Sequence, residues 1–302
     1  MRRSFYTLDV FTDTPFEGNP LAVVTDCQGL SESAMQAIAR EFNLSETVFV
    51  LEPHDPVNTA RLRIFTPTRE LPFAGHPTIG AAVLIAQLRA GDMMAREDVV
   101  LMLEEQVGVI ACTARKRQGR AAQARFTLPH LPHHVSDARD AANIAAALGL
   151  HASDIGFDEH RPSVWSAGNP FTFVPIASLE ALQTAKPNAA LFASAFEGAR
   201  PAAYLYSKEV MREGSDVHAR MFAPGLGISE DPATGSAAAA VAGVALAFEA
   251  PEDGDHLLVI EQGFEMHRPS IIHLRMSVEN GALTEASIGG SVVQVSQGLL
   301  SA

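Results

Sequence analysis

The chain is short of cysteine, of basic residues and of long apolar runs, and each shortage removes a class of function. Two cysteines, Cys27 and Cys112, stand in 302 residues. That is too few for a disulfide framework, and no C-x-x-C pair offers a metal site, so the pattern suits a reducing cytosol. Lys and Arg number 22 against 35 Asp and Glu, a formal net charge of −13. With no basic cluster in view, nucleic acid is excluded as an expected partner, although an acidic protein can still hold a local positive pocket. The longest apolar run, Ala237 to Phe248, is too short to span a bilayer and is mostly alanine and glycine. The opening "MRRSFYTLDVF" alternates polar and apolar residues and lacks the apolar stretch of a secretion signal. A cytoplasmic protein that meets neither membrane nor nucleic acid is the expectation. Phosphate-cradling loops of the G-x-G-x-x-G or Walker type are missing too, "PGLGIS" being too short a match to count.

What is present is ordinary globular material. Hydrophobic residues make up 47% and charged residues 19%, so a packed core of one large or two smaller domains is expected. Short strands alternate with a few helices, an α+β pattern. "FYTLDVF" (5–11), "LAVVT" (21–25), "TVFVL" (47–51) and "ARLRIF" (60–65) read as strands by alternation and β-branching. Ser31 is a plausible cap for a helix carrying Met35, Ile38, Ala39 and Phe42 at helical spacing. A second helix is predicted from Pro77 to Leu88, followed by strands at 98–103, 107–114 and 123–128. "PHLPHH" (129–134) then breaks the pattern and marks a domain boundary.

The second half repeats the first. "GNPLAVV" at 18–24 is echoed by "GNPFTFV" at 168–174, "RIFTP" at 63–67 by "RMFAP" at 220–224, and "AGHPTIGAA" at 74–82 by "TGSAAAAVA" at 234–242. Three echoes in one order indicate two homologous lobes, 1–128 plus about 286–302 and 129–285, with a ligand cleft expected between them. Each lobe supplies one helix that opens on a glycine and a short polar residue. Pro77 suits a first helical position, which would leave His76 at or beside the cap, and Thr234 or Ser236 can cap the other helix. Unpaired N–H groups and the positive end of the helix dipole gather at such starts, so the pair would suit a small carboxylate.

"DVFTDTPFEGNPLAVV", "LSETVFV", "RIFTPTRELPFAGHPTIGAA" and "EDPATGSAAAA" resemble the PhzF-like phenazine-biosynthesis family of the diaminopimelate epimerase-like fold. The resemblance runs from the first strand to the final "GGSVVQV". It implies two pseudo-symmetric lobes, each a curved, mostly antiparallel sheet around a central helix, and a homodimer. It also implies a cofactor-independent isomerase acting on a small carboxylic acid. The family's catalytic positions fall on Glu46, His76 and Asp231, and its serine on Ser236. In the phenazine-pathway member the glutamate moves a proton during isomerisation of dihydro-hydroxyanthranilate. Related epimerases and racemases place a cysteine before the glycine at both helix starts. Here those positions are Ala74 and Thr234, so two-thiol racemisation is excluded. A non-catalytic metabolite- or protein-binding member of the same fold is the alternative.

Each candidate also has a plain structural reading. Glu46 beside an apolar strand would have its charged form disfavoured and suit general acid/base work, or it is a solvated strand-start glutamate. His76, between Gly75 and Pro77, would be neutral at a helix start, or it only caps backbone. Asp231 and Ser236 could hold substrate or could be ordinary caps, and a hydrolase use of the serine lacks the G-x-S-x-G elbow. Gly235 and Thr234 frame the second helix start. Gly289 and Gly290 would let backbone approach a ligand, or they mark a bulge. Arg63 and Arg220 are expected on solvated strand faces, and the histidines of 130–134 match no standard metal set.

Overall fold

The computed structural model describes residues 2–138, 140–196 and 201–302. The chain divides into two compact units, Met1–Thr127 with Gly289–Ala302 and Leu128–Ile288. Among the described residues no helix is long and apolar enough to cross a membrane.

The first unit begins with β1 (Arg2–Val10), β2 (Asn19–Val24), α1 (Glu32–Phe42), β3 (Glu46–Leu51), β4 (Ala60–Phe65), β5 (Glu70–Leu71), α2 (Gly75–Ala90), β6 (Val99–Glu105), β7 (Gly108–Lys116) and β8 (Ala122–Thr127). Strands linked by short turns pair antiparallel: β1 with β2, β3 with β4, β6 with β7, and β7 with β8. Parallel pairing needs a long return, and α1 and α2 provide it for β2–β3 and β4–β6. Ser31 caps α1 by accepting the Ala34 N–H at 3.2 Å. Asn43, left-handed at φ 51°, ends it and turns the chain into β3.

α2 has no polar face. Gly75 through Ala86 are all buried, and the helix packs against β1, β2, β3, β6, β7 and β8. A helix apolar all round belongs inside a core. Gly80 is where it comes closest to the sheet: a Cβ there would stand 2.4 Å from Leu21 Cδ2 and 3.0 Å from Val10 Cγ2.

The second unit holds β9 (His133–Asp137), α3 (Ala141–Leu148), β10 (Ser163–Ser166), β11 (Pro170–Pro175), α4 (Leu179–Thr184), α5 (Ala189–Ala195), β12 (Ala203–Ser207), β13 (Val217–Ala223), β14 (Ile228–Asp231), α6 (Gly235–Glu249), β15 (Gly254–Gln262) and β16 (Ser270–Glu279). Its pairings repeat those of the first unit, sense for sense. β10–β11, β12–β13 and β15–β16 are antiparallel, whereas β11–β12 and β13–β15 are parallel. The long final strand, β17 (Ala282–Ser301), passes from one unit into the other at Gly289. In the first unit it pairs with both β1 and β8, so that sheet is closed, where the sequence suggested only a curved one.

Buried charge repeats as well. Arg63 grips Glu70 through Nε and Nη2 at 2.7 and 2.6 Å, and Arg220 grips Glu230 through the same atoms at 2.8 and 2.9 Å. Neither arginine lies on the solvated face expected of it. Arg220 is 6% exposed and also donates to the carbonyls of Leu182, Gln183 and Ala185. Glu104 accepts the N–H groups of His54 and Asp55, and Glu261, its counterpart in the second unit, accepts those of Met211 and Arg212. Alternation alone could not show this, because a charged residue pointing into a protein reads like one pointing out. Within the "PHLPHH" stretch, His133 and His134 belong to β9, which pairs with β10.

Candidate active site

α2 starts two residues earlier than proline placement suggested. Ala74 is its N-cap, in extended backbone with no capping side chain, so His76 and Pro77 lie inside the first turn. Proline is tolerated there because the first N–H groups of a helix have no intrahelical partner. His76 is thereby carried into the interior and is 5% exposed. Glu46 opens β3, next to α2, and its Oε2 lies 3.4 Å from His76 Nε2. That contact falls short of hydrogen-bond geometry and leaves Nε2 buried without a hydrogen bond among the described residues. Burial pushes the His76 pKa down to about 3, so the imidazole is neutral throughout the physiological range. The expected neutrality is present, with desolvation as its cause. A neutral imidazole offers a lone pair at one ring nitrogen and an N–H at the other.

In the second unit, β14 ends on Asp231, which is 8% exposed, and α6 follows with Thr234 as its N-cap. Thr234 does not cap through its side chain. Its hydroxyl donates to Asp231 Oδ2 at 2.6 Å, and its N–H donates to Gln262 Oε1 at 3.1 Å. Gln262 Nε2 donates to the Asp231 carbonyl at 2.7 Å and reaches Thr234 Oγ1 at 3.0 Å. Three residues thus fix one another by interlocked hydrogen bonds, and the carboxylate is held at the helix start. Gly235 and the half-buried Ser236 follow in the first turn of α6. Gln262 was not a sequence candidate, since it comes from β15, far along the chain. No local pattern marks it, because 28 residues separate it from Thr234 and only folding brings the two together.

Glu46 and His76 thus form one cluster, and Asp231, Thr234 and Gln262 another, each within its own unit. Gly289 serves close packing: a Cβ there would lie 2.8 Å from the Ala124 carbonyl in the neighbouring β8. Gly290 is buried beside it in β17.

The family described as phenazine biosynthesis-like protein matches residues 8–298. An uncharacterized isomerase of Mesorhizobium japonicum is 48% identical over 302 residues, with 99% of this chain and 98% of that protein covered. A trans-2,3-dihydro-3-hydroxyanthranilate isomerase of Pseudomonas chlororaphis is 33% identical, with 98% of each covered. The crystal structure of a PhzF-family phenazine biosynthesis protein of Bacillus anthracis shares the fold with a TM-score of 0.89. It is 27% identical and is covered, like this chain, over 100% of its length. A match of this extent is decisive: the chain belongs to the phenazine biosynthesis-like family.

Proposed function

We propose that the protein is a cofactor-independent isomerase that shifts a proton between carbons of a small carboxylic acid. The observation carrying this reading is the Glu46–His76 pair: a carboxyl group 3.4 Å from an imidazole that burial keeps uncharged. Glu46 takes a carbon-bound proton and returns it elsewhere on the same molecule. His76 steadies the shift as a neutral partner. General acid/base help of this kind supplies ~10²–10⁴-fold in rate. Backbone N–H groups at the start of α2, in the same unit as the pair, serve the substrate carboxylate, adding ~0.3–1 kcal/mol, or up to ~2 when partly buried. Asp231 and Ser236, at the start of α6, are the polar side chains that the second unit offers a substrate. The names of the relatives support the isomerase class, and the substrate of the Pseudomonas chlororaphis protein is the natural first probe.

The test is incubation in heavy water with trans-2,3-dihydro-3-hydroxyanthranilate and other small carboxylates, followed by NMR, with Glu46→Gln beside the wild type. The expected outcome is deuterium uptake or rearrangement that falls at least ~100-fold in the variant, its unfolding curve unchanged. A Glu46→Gln protein as fast as wild type would remove the acid/base assignment. Tight binding with no turnover of any compound would instead favour a binding protein on this scaffold.

A further inference from the structure

Glu105, the last residue of β6, is buried, and its carboxyl group meets the first turn of α2. Thr78 Oγ1 lies 2.6 Å from Glu105 Oε1 and 2.8 Å from the Ala74 carbonyl. A threonine hydroxyl has one hydrogen. When that hydrogen goes to the carbonyl, the 2.6 Å contact requires a second hydrogen, which only the carboxyl group can supply. When it goes to Glu105 instead, a carboxylate is left buried with Oε2 lacking a hydrogen bond among the described residues, a costly state.

The second unit supplies an independent observation. β4 pairs with β6 through Ala60↔Leu103 and Arg61↔Glu104, and β13 pairs with β15 through Val217↔Ile260 and His218↔Glu261. The residue after each glutamate is Glu105 in one unit and Gln262 in the other. Gln262 is an uncharged amide that donates to the Asp231 carbonyl and braces Thr234 at the start of α6. We infer that Glu105 is an uncharged, protonated carboxylic acid that positions the first turn of α2, as the amide of Gln262 positions that of α6. Its role in holding an anion rests on the isomerase reading: a carboxylate here would oppose the positive end of α2, and a neutral acid does not. Burial, weakly opposed by the Thr78 hydroxyl, raises the Glu105 pKa to about 8. Cys112 of β7 is a thiol that burial alone keeps uncharged over the same range.

The protonation state is tested without substrate, so a failed isomerase assay leaves it standing. Infrared difference spectra of wild type against Glu105→Gln at neutral pH should show the carbonyl stretch of a protonated carboxylic acid lost in the variant. Loss of carboxylate bands alone would overturn the inference. Urea unfolding against pH gives a second readout. A folded pKa raised above the unfolded value stabilises fully below about 4.5 and is lost as pH rises through about 8. The wild-type folding constant should therefore fall relative to Glu105→Gln by nearly tenfold per pH unit between those limits. Parallel curves would overturn the inference. Glu105→Val should destabilise the fold and Glu105→Gln restore it, because an amide can replace an acid as donor. Should Glu105→Gln not fold, the same infrared band followed in wild type decides: it is expected to vanish as pH passes about 8, and its absence at neutral pH refutes the inference.

Discussion

A neutral imidazole enclosed by protein has a thermodynamic consequence that can be read without knowing a substrate. His76 in the folded chain has a pKa near 3, against 6.5 when free. Above 6.5 both states are neutral and the residue contributes nothing to pH dependence. Below it the unfolded chain binds a proton that the folded chain refuses, so stability falls with falling pH. The loss is about 1.4 kcal/mol per pH unit. His76→Asn should flatten this acid limb of the stability curve between about pH 6 and pH 4, measured by urea midpoint, and an unchanged limb would assign the burial penalty elsewhere. At this scale the sequence was partly legible. The blocks around Glu46 and His76 are local, so their residues could be chosen from the chain. Gln262 and Glu105 could not, because their partners Thr234 and Thr78 stand 28 and 27 residues away and meet them only in the fold.

Turns and helix starts show the same limit at the level of elements. The repeated G-N-P turns looked alike in sequence, and both glycines have positive φ, 67° at Gly18 and 124° at Gly168. Their surroundings differ. A Cβ at Gly18 would stand 2.4 Å from the Val10 carbonyl, whereas one at Gly168 would meet nothing within 4 Å. Gly168→Ala should therefore cost only the strain of its backbone, ~1–3 kcal/mol. Gly18→Ala should cost ~1–3 kcal/mol more, since a backbone oxygen has to move. Equal midpoints for the two variants in urea would refute the difference. The strands β1 to β4 and β6 to β8, the helices α1 and α2 and the start of α6 were legible within a few residues, since period and apolar content decide them. The α2 boundary was not. Proline fits anywhere in a first turn, so its position alone could not fix where the helix begins.

For the whole molecule, duplication explains both what could be read and how the halves diverged. The echoes in sequence correspond to equal pairing senses, equal arginine clamps and equal carboxylate cradles in the two units. Burial, however, depends on every neighbour and is not inherited with a motif. Arg63 is 22% exposed in its side chain, with Glu70 at 16% and Glu32 at 71%, whereas Arg220 and Glu230 are 8% and 15% exposed. Arg220 also donates to three carbonyls at the end of α4, where a helix runs out of N–H partners of its own. Removing one partner of a buried ion pair leaves the other charge uncompensated, at a cost of about 3–5 kcal/mol, while an exposed pair is worth about 1 or less. Arg220→Met should therefore cost several kcal/mol and Arg63→Met distinctly less, since its pair is only partly buried. Thermal unfolding of the two variants side by side measures the gap. A larger loss for Arg63→Met would mean that the clamp of the first unit, despite its exposure, supports that unit's closed sheet in a way its local contacts do not show.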